Sequence, residues 1–100
     1  MENNNIINWL EEWCRSQCNG DWEHGDGIKI ETLDNPGWSV TIDLSNMTTK
    51  LEEIPYQLFE KSKRDWYGYS IKDMKYKAAG DPTKLKFLLE LFQKLVKSAA

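Results

Sequence analysis

The hydrophobic spacing of this chain changes period twice, and those changes fix most of what it can fold into. From Asn5 to Cys18, Ile6, Leu10, Trp13, Cys14 and Gln17 recur at helical spacing, Trp9 and Ile7 widen the stripe, and Glu11, Glu12, Arg15 and Ser16 lie opposite. Asn4 or Asn5 can cap this helix, and Gly20 can close it in the left-handed conformation. From Ile28 the period falls to two: Ile28, Ile30 and Thr32 alternate with Lys29, Glu31 and Leu33, and Trp38, Val40, Ile42 and Leu44 alternate with Ser39, Thr41 and Asp43. Beyond Asp81 the helical spacing returns through Leu85, Leu88, Leu89, Phe92, Leu95 and Val96, with Asp81 as cap and Pro82 at the first helical position. Lys94 and Lys97 stand near the negative end of that helix.

The strand faces restrict the turns. Setting Ile28 and Ile30 on the side of Val40 and Ile42 requires paired residue numbers with an even sum. A strict four-residue loop of Asp34, Asn35, Pro36 and Gly37 gives an odd sum and puts apolar against polar, so the loop must be odd in length or carry a bulge. The stretch from Ser45 to Glu53 reads as loop, and Tyr56, Leu58 and Glu60 read as a weaker strand that Pro55 opens. Tyr67, Tyr69 and Ile71 face Met74, Tyr76 and Ala78 if Lys72 and Asp73 form a two-residue turn. The expected class is α+β: an antiparallel sheet of about five strands flanked by an N-terminal and a C-terminal helix, both on one sheet face.

One hundred residues suit a single domain, 1–100, and five Trp with four Tyr supply aromatic mass for its core. No apolar run is long enough for a membrane span and no basic segment followed by an apolar stretch opens the chain, so a cytoplasmic protein is expected. The formal charge of −3 is too mild and mixed for a whole-chain nucleic-acid binder. That charge is nevertheless polarised, with three bases against twelve acids in residues 1–60 and ten bases against four acids in residues 61–100. The basic part, around Lys61, Lys63, Arg64, Lys72, Lys75 and Lys77, could attract phosphate, and such binding would depend steeply on salt. The alternative is that these lysines are ordinary solvated faces.

Cys14 and Cys18 are the two cysteines, one helical turn apart, where a regular helix converges Cβ vectors poorly for a disulfide. Reduced, mostly buried thiols are expected. A zinc site would need further ligands, and His24 is the lone histidine, so neither metal nor cofactor is expected. The densest polar cluster is Asp21, Glu23, His24 and Asp26 around Trp22. Three readings compete for it. His24 could act as general base for Cys18; the polar groups could simply serve the helix end and strand entry; or the acids, with Asp34, Asn35 and Asp43, could form one negative surface for a basic protein partner.

The runs Gln17 to His24, Gly27 to Ile30, Thr32 to Trp38 and Ile42 to Leu44 resemble the immunity protein 53 family of bacterial polymorphic toxin systems. The likeness is close through residues 9–44 and looser afterwards, where Asp65-Trp66 and the terminal helix are similar. Asn19 stands where an acid is expected, and Gly25-Asp26 where a bulkier pair is usual. The resemblance implies a small cytoplasmic protein that binds and neutralises a cognate toxin without catalysis or cofactor. With the acidic N-terminal part it points to Asp21, Trp22, Glu23, His24, Asp26, Asp34 and Asn35 as toxin contacts, and charge alone suggests a basic enzyme such as a nuclease as the target. The alternative is a small thiol-dependent Cys-His enzyme of sulfurtransferase-like type, although no active-site loop of that kind surrounds Cys18.

Overall fold

The computed structural model describes residues 5–99; Asn4, one of the two cap candidates, lies outside them. Helix α1 spans Ile6–Gln17 and is capped by Asn5, whose side chain accepts the Ile7 and Asn8 amides at 3.1 and 3.2 Å. A single 3₁₀ turn, Trp22–His24, follows. The strands are β1 (Ile28–Leu33), β2 (Gly37–Asp43), β3 (Ile54–Ser62), β4 (Asp65–Lys72) and β5 (Lys75–Gly80), and helix α2 (Leu85–Ala99) closes the order. All neighbours are antiparallel, in the order β1-β2-β5-β4-β3. The class is the expected α+β. Strands β5 and β4 both lie between β2 and β3, so the stretch from Leu44 to Glu53 must cross one end of the sheet to reach β3.

The parity argument for the first hairpin holds. Ile28 pairs with Ile42 and Leu33 with Gly37, an even sum, which leaves a three-residue connection of Asp34, Asn35 and Pro36. In the second hairpin the turn sits one residue later than expected. It is Asp73-Met74, both at positive φ (53° and 59°), and Ile71 pairs with Tyr76 where Met74 was expected. A shift of two in the sum preserves every face, so periodicity could not see it. The same register carries the ladder on to the Asp81 amide, which donates to the Trp66 carbonyl at 3.1 Å.

One sheet face is covered by the helices. Val40, Ile42, Ile71, Tyr76 and Ala78 meet Leu88, Leu89 and Phe92 of α2, and Ile6, Leu10 and Trp13 of α1 complete the cluster. The buried Tyr76 hydroxyl donates to the Leu88 carbonyl at 2.8 Å, and burial raises its pKa. The opposite face carries Ser39, Thr41, Lys77, Ala79, Gly68 and Ser70, and among the described residues both helices pack on the other face.

Helix α2 begins three residues later than expected, at Leu85 instead of Pro82. Asp81 caps a separate turn, through its carbonyl to the Lys84 amide (3.0 Å) and its Oδ1 to the Thr83 amide (2.8 Å), and the helical ladder starts with Leu88 donating to Lys84. Pro82 therefore sits in that turn and not at the first helical position. Helix α1 likewise ends at Gln17 with Cys18 extended, so Gly20 (φ 96°) serves the loop beyond it instead of closing the helix.

Gly37 is fixed by close approach: an added Cβ would stand 2.3 Å from the Gly80 carbonyl oxygen, a backbone atom that cannot swing aside. Gly37→Ala should therefore force β2 from β5 and lower stability by about 1–3 kcal/mol, read as a fall in the urea midpoint. An unchanged midpoint would show that the two strands separate freely there.

Candidate functional site

The segment between α1 and β1 is built around one anchor. Trp22 is only 5% exposed, meets Trp13 edge-on at 5.8 Å between centroids, and donates its indole N–H to the Asp43 carbonyl at 3.0 Å. Its ring therefore holds the loop from inside and offers a partner no surface, which departs from its expected role as a contact. Around it the loop satisfies its own backbone. The Asn19 side-chain oxygen accepts the Asp21 and Trp22 amides, both at 2.9 Å, and the Glu23 carboxylate accepts the Asn19 and Gly20 amides at 3.0 and 2.8 Å. This is a reciprocal cap of the kind that opens helices, here closing a single 3₁₀ turn. It also explains Asn19, since its amide oxygen supplies the acceptor that an acid would. Backbone donors, its own amide first, hold the Glu23 carboxyl below the usual range.

Asp26 is neutralised differently. Lys75 reaches it at 2.7 Å and Lys29 at 3.5 Å, and Lys75 is the larger cause of its lowered pKa. Lys75 is in turn raised, by Asp26 first and then by Asp43 and Asp73. Sequence reasoning passed over Lys75 and Asp73 as members of this cluster, because only the β2–β5 pairing brings their hairpin beside Asp43. The link is tight: the Asp43 amide donates to the Gly27 carbonyl and the Leu44 amide to the Met74 carbonyl, each at 2.9 Å. Asn46 adds another tie, donating to the Gln17 carbonyl at 2.8 Å and accepting from Asn19 at 3.3 Å.

What this end of the sheet leaves to solvent is Asp21 and His24, both exposed, with the outer faces of Glu23 and Asp26. Asp34 and Asn35 are exposed as well, but they lie on the turn at the other end of the β1–β2 hairpin. The acids expected on one surface thus fall into two groups separated by the length of β1, roughly 17 Å for its six residues. The basic residues divide the same way, with Lys61, Lys63 and Arg64 beside the β3–β4 turn and Lys72 and Lys75 at the opposite end of β4 and β5. They do not form one phosphate-binding track.

The thiols diverge from expectation too. Cys14 is half-buried, but Cys18 is exposed because the helix stops one residue before it. Burial, then Cys18, pushes the Cys14 thiol up, and the Cys18 Sγ donates to the Cys14 carbonyl at 3.3 Å. Among the described residues no hydrogen bond joins Cys18 to His24, and no three His, Cys, Asp or Glu side chains gather as metal ligands.

The loop is fixed in its backbone and leaves Asp21 and His24 exposed, and the comparison with known families bears on what the whole chain does. The model of immunity protein 53 matches residues 7–97, nearly the whole chain. The chain belongs to the immunity protein 53 family. The match carries the likeness through the sheet and α2, well past the N-terminal segment where the sequence motifs are densest. Immunity function, with a toxin as the bound partner, follows from membership. No curated protein and no solved structure compared with the chain gives a match. Among the described residues no helix is long and apolar enough to cross a membrane.

Proposed function

We propose that this immunity protein 53 family member is the stoichiometric inhibitor of a cognate polymorphic toxin, acting in the cytoplasm by covering the toxin and breaking no bond itself. The contact is made by the loop carrying Asp21, Glu23, His24 and Asp26, and Asp34 and Asn35 at the far end of the hairpin form a second, separate contact. What carries this reading is the construction of the loop. Trp22, Asn19 and Glu23 fix its backbone from within, so Asp21 and His24 are held outward before any partner arrives. Preorganisation of that kind removes ordering cost from binding. Exposed carboxylates add attraction toward a basic enzyme, of which a nuclease is the type most in keeping with the charge.

The thiol-enzyme reading has less behind it. The better-buried thiol is the one whose ionisation burial opposes, and the exposed one is engaged with backbone.

The test is binding to the toxin domain encoded beside this chain, measured by stopped flow and calorimetry. Asp21→Lys should slow association by about tenfold at low salt, with the difference shrinking as salt rises. Asp34→Lys, measured alone, reports whether the far turn takes part. If Asp21→Lys and His24→Ala both leave rate and affinity at wild-type values, the loop is not the contact.

A further inference from the structure

The order β1-β2-β5-β4-β3 leaves two outer strands, and they are unlike. β1 is six residues long and carries Lys29 and Glu31 at its centre, the usual means of blunting an edge. β3 is nine residues long; Pro55 near its start and Glu60 and Lys61 near its end blunt it there, but the stretch from Tyr56 to Phe59 between them carries neither charge nor proline. Tyr56, Leu58 and Phe59 are 59%, 53% and 42% exposed. Its ladder to β4 runs in register from Gln57 to Glu60, with irregularities only to either side. Tyr56 does not shield the edge: a Cβ on Gly68 would lie 2.2 Å from the Tyr56 hydroxyl oxygen, so that side chain leans inward across β4.

Charge identifies the occupant. Glu52 and Glu53 precede β3, whereas Lys61 lies near its end and Lys63 and Arg64 in the turn that follows, and all five are exposed; Glu60 offsets one of the three bases. A strand with acids at its head and bases at its tail is complementary to its own reverse. We infer that a second copy of this chain pairs with β3, edge to edge and antiparallel, to make one continuous sheet across a twofold axis near Leu58. That register brings Glu52 and Glu53 alongside Arg64 and Lys63 of the second copy, and symmetry repeats the arrangement at the other end. Its even sum also keeps Tyr56 and Leu58 of both copies on one face, where they merge into a single apolar patch. One Glu53 oxygen already accepts the Asp73 amide at 3.2 Å, which leaves the other for a lysine. This pairing is independent of where the toxin binds.

Sedimentation equilibrium on the full chain tests it through a charge exchange. Wild type should self-associate at micromolar concentrations, and the double variants E52K/E53K and K63E/R64E should each weaken association at least about tenfold, because like charges then meet at both ends. An equimolar mixture of the two should restore it, since only the mixed pair has opposite charges at both ends. Leu58→Lys should give monomer while leaving toxin binding intact. Near-UV circular dichroism reports folding, and if Leu58→Lys unfolds, the charge exchange decides alone. A monomeric wild type at about 1 mM, or a mixture no better associated than its components, overturns the inference. So does loss of toxin binding in Leu58→Lys without wild-type self-association, which would give the edge to the toxin.

Discussion

Asp81→Ala should destabilise the protein by roughly 2–3 kcal/mol, a large share of what a domain of this size has. The side chain is fully buried, yet every oxygen is used. Oδ2 accepts the Trp66 amide at 2.9 Å and the Lys84 ammonium at 2.7 Å, and Oδ1 accepts the Thr83 amide and hydroxyl at 2.8 and 2.6 Å. Alanine takes the shared acceptor from all of these donors; Thr83 and Lys84 can turn to solvent and Lys84 keeps Asp65 at 2.8 Å, so the loss falls mainly on the Trp66 amide and the packing of the turn. It also uncouples the turn before α2 from the start of β4. Asp81→Asn keeps the shape and should cost less.

The pH dependence follows from the same contacts. Burial alone would raise the Asp81 carboxyl, but Lys84, the Thr83 hydroxyl and the two amides outweigh it and hold the group well below the ordinary range. The unfolded chain therefore binds the proton first. The carboxylate's contribution is complete above about pH 4 and is lost as pH falls toward the folded-state value. Urea midpoints of wild type and Asp81→Asn should accordingly converge below about pH 4 and stay apart at neutral pH. A gap that is constant over this range would mean that the carboxylate charge contributes nothing.

Phe92→Ala should cost about 3–5 kcal/mol and also weaken toxin binding. Phe92 is fully buried where α1, α2 and the sheet meet, with its ring centroid 5.0 Å from Trp13, 5.1 Å from Tyr76 and 6.0 Å from Trp9. The cavity left by truncation cannot be closed by one neighbour, because those rings belong to two different elements, α1 and β5. Trp13 also bears on Trp22, the anchor of the acidic loop, so loosening α1 loosens the surface that carries Asp21 and His24. Urea unfolding followed by tryptophan fluorescence gives the first effect. Toxin dissociation of Phe92→Ala under conditions where it remains folded gives the second, and an unchanged dissociation rate would separate the loop from the core. Phe92→Leu, which fills most of the space, should restore most of both.

The parts of this protein that could be read from sequence are those written in local spacing. The stripe from Ile6 to Gln17, the alternation from Ile28 to Asp43 and the stripe beyond Leu85 each name an element and its inward face, because side-chain direction repeats with the backbone. Parity required the first hairpin loop to be odd in length or to carry a bulge, and the three-residue connection is the first of these. The acidic loop was visible as a cluster, and its position before β1 was legible. Trp22 was not: an aromatic among acids reads equally well as an exposed anchor or a buried one, and only the Asp43 carbonyl and the Trp13 ring decide for the second.

Tertiary structure decided what depends on partners distant in the chain. Nothing local places β5 against β2, and that pairing sets Lys75 against Asp26 and leaves β3 as the outer strand on the far side of β4. Nor could spacing tell that Asp21 and Asp34 stand at opposite ends of one hairpin, since their nearness in sequence says only how far the chain between them can reach. Periodicity reports which way a side chain points. Which other segment it meets is settled by the burial and hydrogen bonding of the whole sheet at once, and that is a property of the assembled chain.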